Sequence, residues 1–246
     1  MQYFVGIDLA WRGGKNTSAV SIAKLEDNEL HVVRVIPSIA KWSDVLRLLC
    51  ELDDVRGIAI DAPLILTNTS GQRICERDLN REFSSRFAGA HPSNLALYPD
   101  ADAIKLSAEL TKLGYIHCNT GGTFQIEVYP HPAIIEMFGL PERHQYKKGR
   151  VDERREGQIR LSNMIKGLAH SPVLLLHLSE GLSIALDETG IRSLRGRRLK
   201  QNEDALDSII CLYIAGLYSK DFTRTFGNRD EGYIVVPTIA CIPAKA

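Results

Sequence analysis

Four aspartates stand where a fold can bring them together. Gly6-Ile7-Asp8 closes a short apolar run, Tyr3 to Leu9, rich in strand formers, and Ile58-Ala59-Ile60-Asp61 repeats the arrangement. Side chains alternate along a strand, so Tyr3, Val5 and Ile7 face one way and Phe4, Gly6 and Asp8 the other. Each aspartate ends its run at a carboxyl edge, where ligands of open α/β sheets gather. The other two lie in Glu203-Asp204-Ala205-Leu206-Asp207. Residues three apart share a helical face, so Asp204 and Asp207 can address one point. The helix continues as Ile209 to Leu217, apolar nearly all round, which marks it as buried. Two aspartates at its start need a cationic partner. That partner is either a metal ion or a nearby arginine, of which Arg195, Arg197 and Arg198 are candidates.

Glu127, in Phe124-Gln125-Ile126-Glu127-Val128, adds a fifth carboxylate near a strand end. Clustered carboxylates raise one another's pKa unless a cation neutralises them. An all-oxygen donor set suits Mg2+ or Mn2+ over zinc. A pair of such ions, roughly 4 Å apart, supports hydrolysis of phosphodiester bonds by activated water. The expected metal ligands are Asp8, Asp61, Asp204 and Asp207. Asp8 bridges, Asp61 and Asp207 each anchor one ion, and Asp204 or Glu127 completes a shell or orients water. Taken singly, a strand-end aspartate is a turn former or helix cap; the order of the whole set carries the reading.

Arg73, Arg77, Lys147, Lys148 and Arg150 are candidates for contacting substrate phosphates. The run Arg195 to Lys200 either holds phosphates or balances Asp204 and Asp207, with Arg197 the expected phosphate-positioning group. His91 and His131 each precede a proline and serve either proton transfer or packing. No serine or cysteine is evidently paired with a histidine, so covalent catalysis has little support. Gly13-Gly14-Lys15 is too short for a phosphate-binding P-loop.

The elements that must position these groups follow from pattern. Tyr3 to Leu9, Thr17 to Lys24 and Leu30 to Ile36 read as three strands joined by turns at Arg12 to Asn16 and Asp27-Asn28, an antiparallel meander. Pro37-Ser38 interrupts. Trp42, Val45, Leu46, Leu49 and Leu52 have helical spacing, with Ser43 as the expected N-cap. Gly57 to Ile60 is then a strand reached by a crossover, hence parallel to the first. Helices are expected over Gly71 to Phe87, Ala101 to Leu113, Ala133 to Phe138, Glu153 to Ala169 and Gly196 to Ser219. Strands are expected at Thr123 to Val128 and Gly232 to Val236. Gly89 to Asn94 reads as a loop, and Val173 to Leu186 is apolar without a clear period.

The chain has 246 residues, 44% hydrophobic and 24% charged. It reads as one globular domain over 1–246, elaborated at about 63–122 and 139–195. Lys plus Arg number 30 and Asp plus Glu 30, so nucleic-acid contact must rest on local patches. The five cysteines lack CxxC spacing and read as reduced thiols of a cytoplasmic protein. No leader or membrane span is expected.

The order strand-end Asp8, strand-end Asp61 and helical Asp204 with Asp207 resembles the ribonuclease H-like superfamily, especially its Holliday-junction-resolvase branch. The resemblance implies an α/β fold: a mixed sheet of a three-strand antiparallel meander plus parallel strands, helices on both faces and helical insertions. A closer likeness spans most of the chain. Gly6-Ile7-Asp8-Leu9-Ala10, Ile60-Asp61-Ala62-Pro63-Leu64, Arg73 with Cys75 and Glu76, and Gly89-Ala90-His91-Pro92 carry its first half. Ile126 to Pro132, Tyr146-Lys147-Lys148 and Glu203 to Asp207 carry its second. These residues are similar to the family called domain of unknown function 429, described as predicted ribonuclease H-like nucleases. That likeness implies a metal-dependent nuclease acting on nucleic acid. Two other readings remain open. One is a binding module that kept the fold without turnover. The other is a nucleotide-binding protein of the actin and sugar-kinase type, against which stands the lack of a second copy of the first motif.

Overall fold

The structure, a computed structural model, describes residues 2–11 and 16–241. The chain runs β1 (Gln2–Asp8), β2 (Ser18–Glu26), β3 (Glu29–Ile39), α1 (Trp42–Cys50), β4 (Val55–Asp61), α2 (Ile74–Phe83) and α3 (Asp102–Lys112). It continues with β5 (Ile116–His117), β6 (Phe124–Glu127), α4 (Pro130–Phe138), α5 (Val151–Gly167), β7 (Leu175–Leu178) and α6 (Glu188–Ser193). The last elements are α7 (Gly196–Tyr218), β8 (Thr223–Asn228) and β9 (Gly232–Pro237). The turn expected at Arg12 to Asn16, with Gly13-Gly14-Lys15, lies mostly outside the described residues.

Seven strands form one mixed, mostly parallel sheet in the order β5-β6-β4-β1-β2-β3-β7. The expected meander is β1-β2-β3, antiparallel throughout. β4 joins parallel to β1, and β6 parallel to β4. β8 and β9 form a separate hairpin.

Strand alternation splits the core across the sheet. Val5, Ile7, Val20, Ile22, Ile58 and Ile60 face α1 and α3, packing with Val45, Leu49, Leu106 and Leu110. Phe4, Ala23, Leu30, Ala59 and Ile126 face the opposite side, where α4, α5 and α7 lie. α7 is buried from Asn202 to its end. A third cluster joins α2 to the hairpin through Cys75, Leu79, Phe83 and Ile234. The five cysteines are free. No helix among the described residues is long and apolar enough to cross a membrane.

Four boundaries differ from the sequence reading. β3 runs on through Pro37 to Ile39 because β7 pairs only with Glu29 to Val32. Beyond Val32 that flank of β3 is an edge, where proline costs no ladder bond. α1 is capped by Lys41, with Ser43 already inside the helix. α4 starts at Pro130, three residues early, since proline suits the first helical position. α2 stops at Phe83, short of the expected Phe87. β7 supplies the strand hidden in the unresolved pattern of Val173 to Leu186. β8 was not expected at all: its six residues carry no clean alternation, and each is only partly covered or exposed.

Candidate functional site

Asp8 and Asp61 are register partners at the ends of neighbouring parallel strands. Their backbones are therefore about 5 Å apart, one strand spacing. Glu127 ends the next strand as the register partner of Ile60, the residue before Asp61.

Helix α7 reaches this edge because Gly6 has no side chain. A Cβ there would stand 2.0 Å from the Leu212 nitrogen and 2.1 Å from the Ser208 carbonyl oxygen. The helix backbone thus lies directly on β1. The Ser21 and Ser208 hydroxyls, 2.6 Å apart, fix the same crossing to β2. Asp204 and Asp207 fall within the turn preceding Ser208 and come over the strand ends. Asp8 and Asp204 lie within hydrogen-bonding reach.

A second close approach delivers the counter-charges. A Cβ on Gly157 of α5 would stand 2.1 Å from the Gln145 carbonyl oxygen and 2.6 Å from Tyr146 Cα. His144 Nε2, 2.8 Å from the Gly157 carbonyl oxygen, adds a further tie. So held, the buried Tyr146 donates its hydroxyl to Asp207 Oδ1 at 2.5 Å, and Lys147 Nζ lies 2.7 Å from Asp207 Oδ2. Lys200, one helical turn before Asp204, donates to Asp204 Oδ1 at 2.5 Å and to Glu203 Oε1 at 2.8 Å.

The electrostatics are those of crowded acids. Burial holds the Asp8 carboxyl well above its ordinary value, and Asp207, Asp204 and Asp61 add to the effect. Burial pushes Asp61 to about 7, against the pull of Lys147 and with help from Asp207 and Glu127. Burial also raises Asp204, against Lys200. Burial alone would lower Lys147, but Asp207, Tyr146, Asp61 and Asp8 together raise its ammonium well above the usual value.

Two depressions open beside the cluster. Asp8 and Asp204 line a cleft of about 860 Å3, with Trp11, Tyr98, Arg197 and Lys200. Asp61 and Glu127 border a cavity of about 270 Å3. Trp11 belongs to the wall of both. Its Nε1 donates to the Asp61 carbonyl at 3.0 Å, and its ring meets Tyr98 edge-on at 5.3 Å.

Asp8, Asp61, Asp204, Asp207 and Lys147, all anticipated, are thus close enough to act on one another. Arg197 is exposed in the larger cleft and Lys148 lines the smaller. Arg73, expected at substrate phosphates, is buried instead. It grips Glu127 with Nη1 at 2.8 Å and Nη2 at 2.5 Å, Glu76 with Nε at 2.9 Å, and the Ile65 carbonyl at 3.1 Å. Its guanidinium has no reach left for a ligand. Glu127 also accepts the Leu64 N–H at 2.9 Å, so both its oxygens are engaged and it fixes the loop after Asp61. The aspartates of α7 pair with Lys147 and Lys200. Of the partners the sequence offers, a metal ion, the arginines or the Arg195 to Lys200 run, it is Lys200 of that run, on the aspartates' own helical face, that takes the role here, together with Lys147 from the loop before α5. Tyr146, Trp11 and Arg143 went unremarked as site residues, because only the fold carries them there.

Four aspartates of hard oxygen donors, crowded and partly neutralised by ammonium groups, suit a hard divalent cation by chemistry. Among the described residues, however, no three acidic, histidine or cysteine side chains are already set around one ion position. In this arrangement the lysines supply the balancing charge.

A family model described as "Protein of unknown function (DUF429)" matches residues 6–231. Neither the curated proteins nor the solved structures give a match.

Proposed function

The chain belongs to the DUF429 family, and from its site we propose that it is a ribonuclease H-like, divalent-metal-dependent hydrolase of phosphodiester bonds in nucleic acid. The observation that carries the reading is the pairing of Asp8 with Asp61 at adjacent parallel strand ends, beneath Asp204 and Asp207 of one helix. The β1-β2-β3 meander followed by parallel β4 and a C-terminal acidic helix is the order a ribonuclease H-like fold requires.

Asp8, Asp61, Asp204 and Asp207 would hold Mg2+ or Mn2+. When bound, such an ion supplies Lewis acidity and a water of lowered pKa. The chain's own groups do the rest. Tyr146 fixes one oxygen of Asp207. Trp11 fixes the backbone of Asp61. Arg197, exposed beside Asp8 and Asp204, orients a substrate phosphate from the larger cleft. Lys147 and Lys200 keep the aspartates tolerable to one another in the absence of the ion, then become available for phosphate oxygens.

The test is cleavage of single-stranded, duplex and branched DNA and RNA with Mn2+, comparing the wild type with Asp8→Asn and with chelator. Cleavage lost in both comparisons is expected. Activity that persists in Asp8→Asn, or silence across the whole panel, overturns the reading. The neutralising lysines also suit a module that binds anions without turnover; binding of the panel without cleavage would select that alternative.

A further inference from the structure

The smaller cavity, beside Asp61, has a chemistry that the carboxylate cluster does not use. Its walls include Tyr129, His131, Arg143 and Lys148. Two nitrogens here are left unsatisfied: Arg143 Nε and His131 Nδ1 are both shielded from solvent and lack a hydrogen-bond partner among the described residues. Buried polar groups are rarely left so, and an unfilled ligand position is one cause. Of the acids lining the cavity, Arg73 takes up Glu127 and Glu76, while Asp61 is drawn by Lys147. Helix α4 begins at Tyr129–Pro130 and turns its positive end toward this space. Pro130 and Pro132 have no N–H to offer, which leaves the His131 N–H and side chains as the donors here. Burial, with Lys147, Arg143, His144 and Lys148 around it, keeps the His131 imidazole neutral at ordinary pH. A neutral imidazole can donate one hydrogen bond without adding to the local positive charge.

An oxyanion is the ligand class that would suit these groups together, with the Arg143 and His131 side chains turned toward it. A guanidinium fork and an ammonium are the usual partners of a phosphate carrying more than one negative charge. The volume, about 270 Å3, is at the small end for ligand sites and suits one phosphorylated nucleoside rather than a duplex. We propose that this cavity is a subsite for the terminal phosphate of a nucleic-acid strand, placing the first phosphodiester bond from that end against Asp61 and Asp8. The inference rests on the hydrolase reading above. It makes the substrate a strand end rather than an internal site.

The experiment measures binding of short oligonucleotides of one sequence carrying a 5′-phosphate, a 3′-phosphate or neither, to the full chain in chelator. Inorganic phosphate serves as competitor. One phosphorylated end should bind about tenfold tighter than the unphosphorylated strand, as expected for added charge-assisted contacts. Inorganic phosphate should compete weakly. The advantage should vanish in Arg143→Gln, and in Lys148→Gln should the first variant fold poorly. Equal affinity for all three strands overturns the proposal. So does an advantage kept in both variants, or inorganic phosphate binding as tightly as the phosphorylated strand. Because binding is read without turnover, the two readings fail separately. A phosphate advantage without any metal-dependent cleavage sinks the hydrolase, whereas cleavage without a phosphate advantage sinks the subsite.

Discussion

The carboxyl groups of Asp8 and Asp204 lie within hydrogen-bonding reach of each other. Two ionised carboxylates repel at that distance, which favours the protonated form of the metal-free pair. Asp8 and Asp61 are both raised, Asp61 to about 7. An acid raised on folding stabilises the native state below its unfolded pKa, and that stability is lost as pH rises through the folded value. The metal-free protein should therefore lose melting temperature between about pH 4 and pH 7. Thermal scans in chelator across that window check this, and a flat profile would refute the crowding of these acids.

Divalent cation should remove the same penalty. Mg2+ or Mn2+ at neutral pH should raise the melting temperature, increasingly with concentration, as binding to the native state requires. Asp8→Asn should melt higher than the wild type in chelator and respond less to metal. An identical metal response in wild type, Asp8→Asn and Asp204→Asn would exclude the site.

Gly6→Ala should destabilise the chain by about 1–3 kcal/mol, the usual cost of overpacking, or more. The added methyl meets helix backbone at Leu212 and Ser208, which no rotamer change can relieve. Chemical denaturation measures the loss. Any metal response that survives should weaken too, because Asp204 and Asp207 are carried by the displaced helix.

Glu127→Gln leaves the Arg73 guanidinium buried with Glu76 as its remaining carboxylate partner. Breaking one side of a buried pair costs about 3–5 kcal/mol. Loss of stability is expected with the metal response retained. A folded, equally stable Glu127→Gln protein that no longer responds to metal would restore Glu127 as a ligand.

The sheet edge was legible because both its markers are local. A short apolar run that ends in aspartate marks a buried strand and its carboxyl edge at once, and the helical crossover between the runs makes the strands parallel. The Asp204 and Asp207 spacing on a buried helix was equally direct. What sequence could not supply was distance between segments. Lys147 and Tyr146 are about sixty residues from Asp207, and contacts such as that of Gly157 with the Gln145–Tyr146 backbone bring them there. Arg73 departs from its expected place for a related reason: its type suits phosphate, but its position opposite Glu127 and Glu76 spends it on structure. β8 escaped because a half-exposed hairpin strand needs little apolar pattern.

Trp11 stands in the wall of both depressions and holds the Asp61 carbonyl. The sequence contains one other tryptophan, Trp42, on α1. Replacing Trp42 with phenylalanine would leave a single indole, seated between the two proposed ligand positions. Its emission then becomes a native optical gauge: an ion at the aspartates and an anion in the smaller cavity approach the same ring from different sides. The order in which they arrive can be followed in one unlabelled sample.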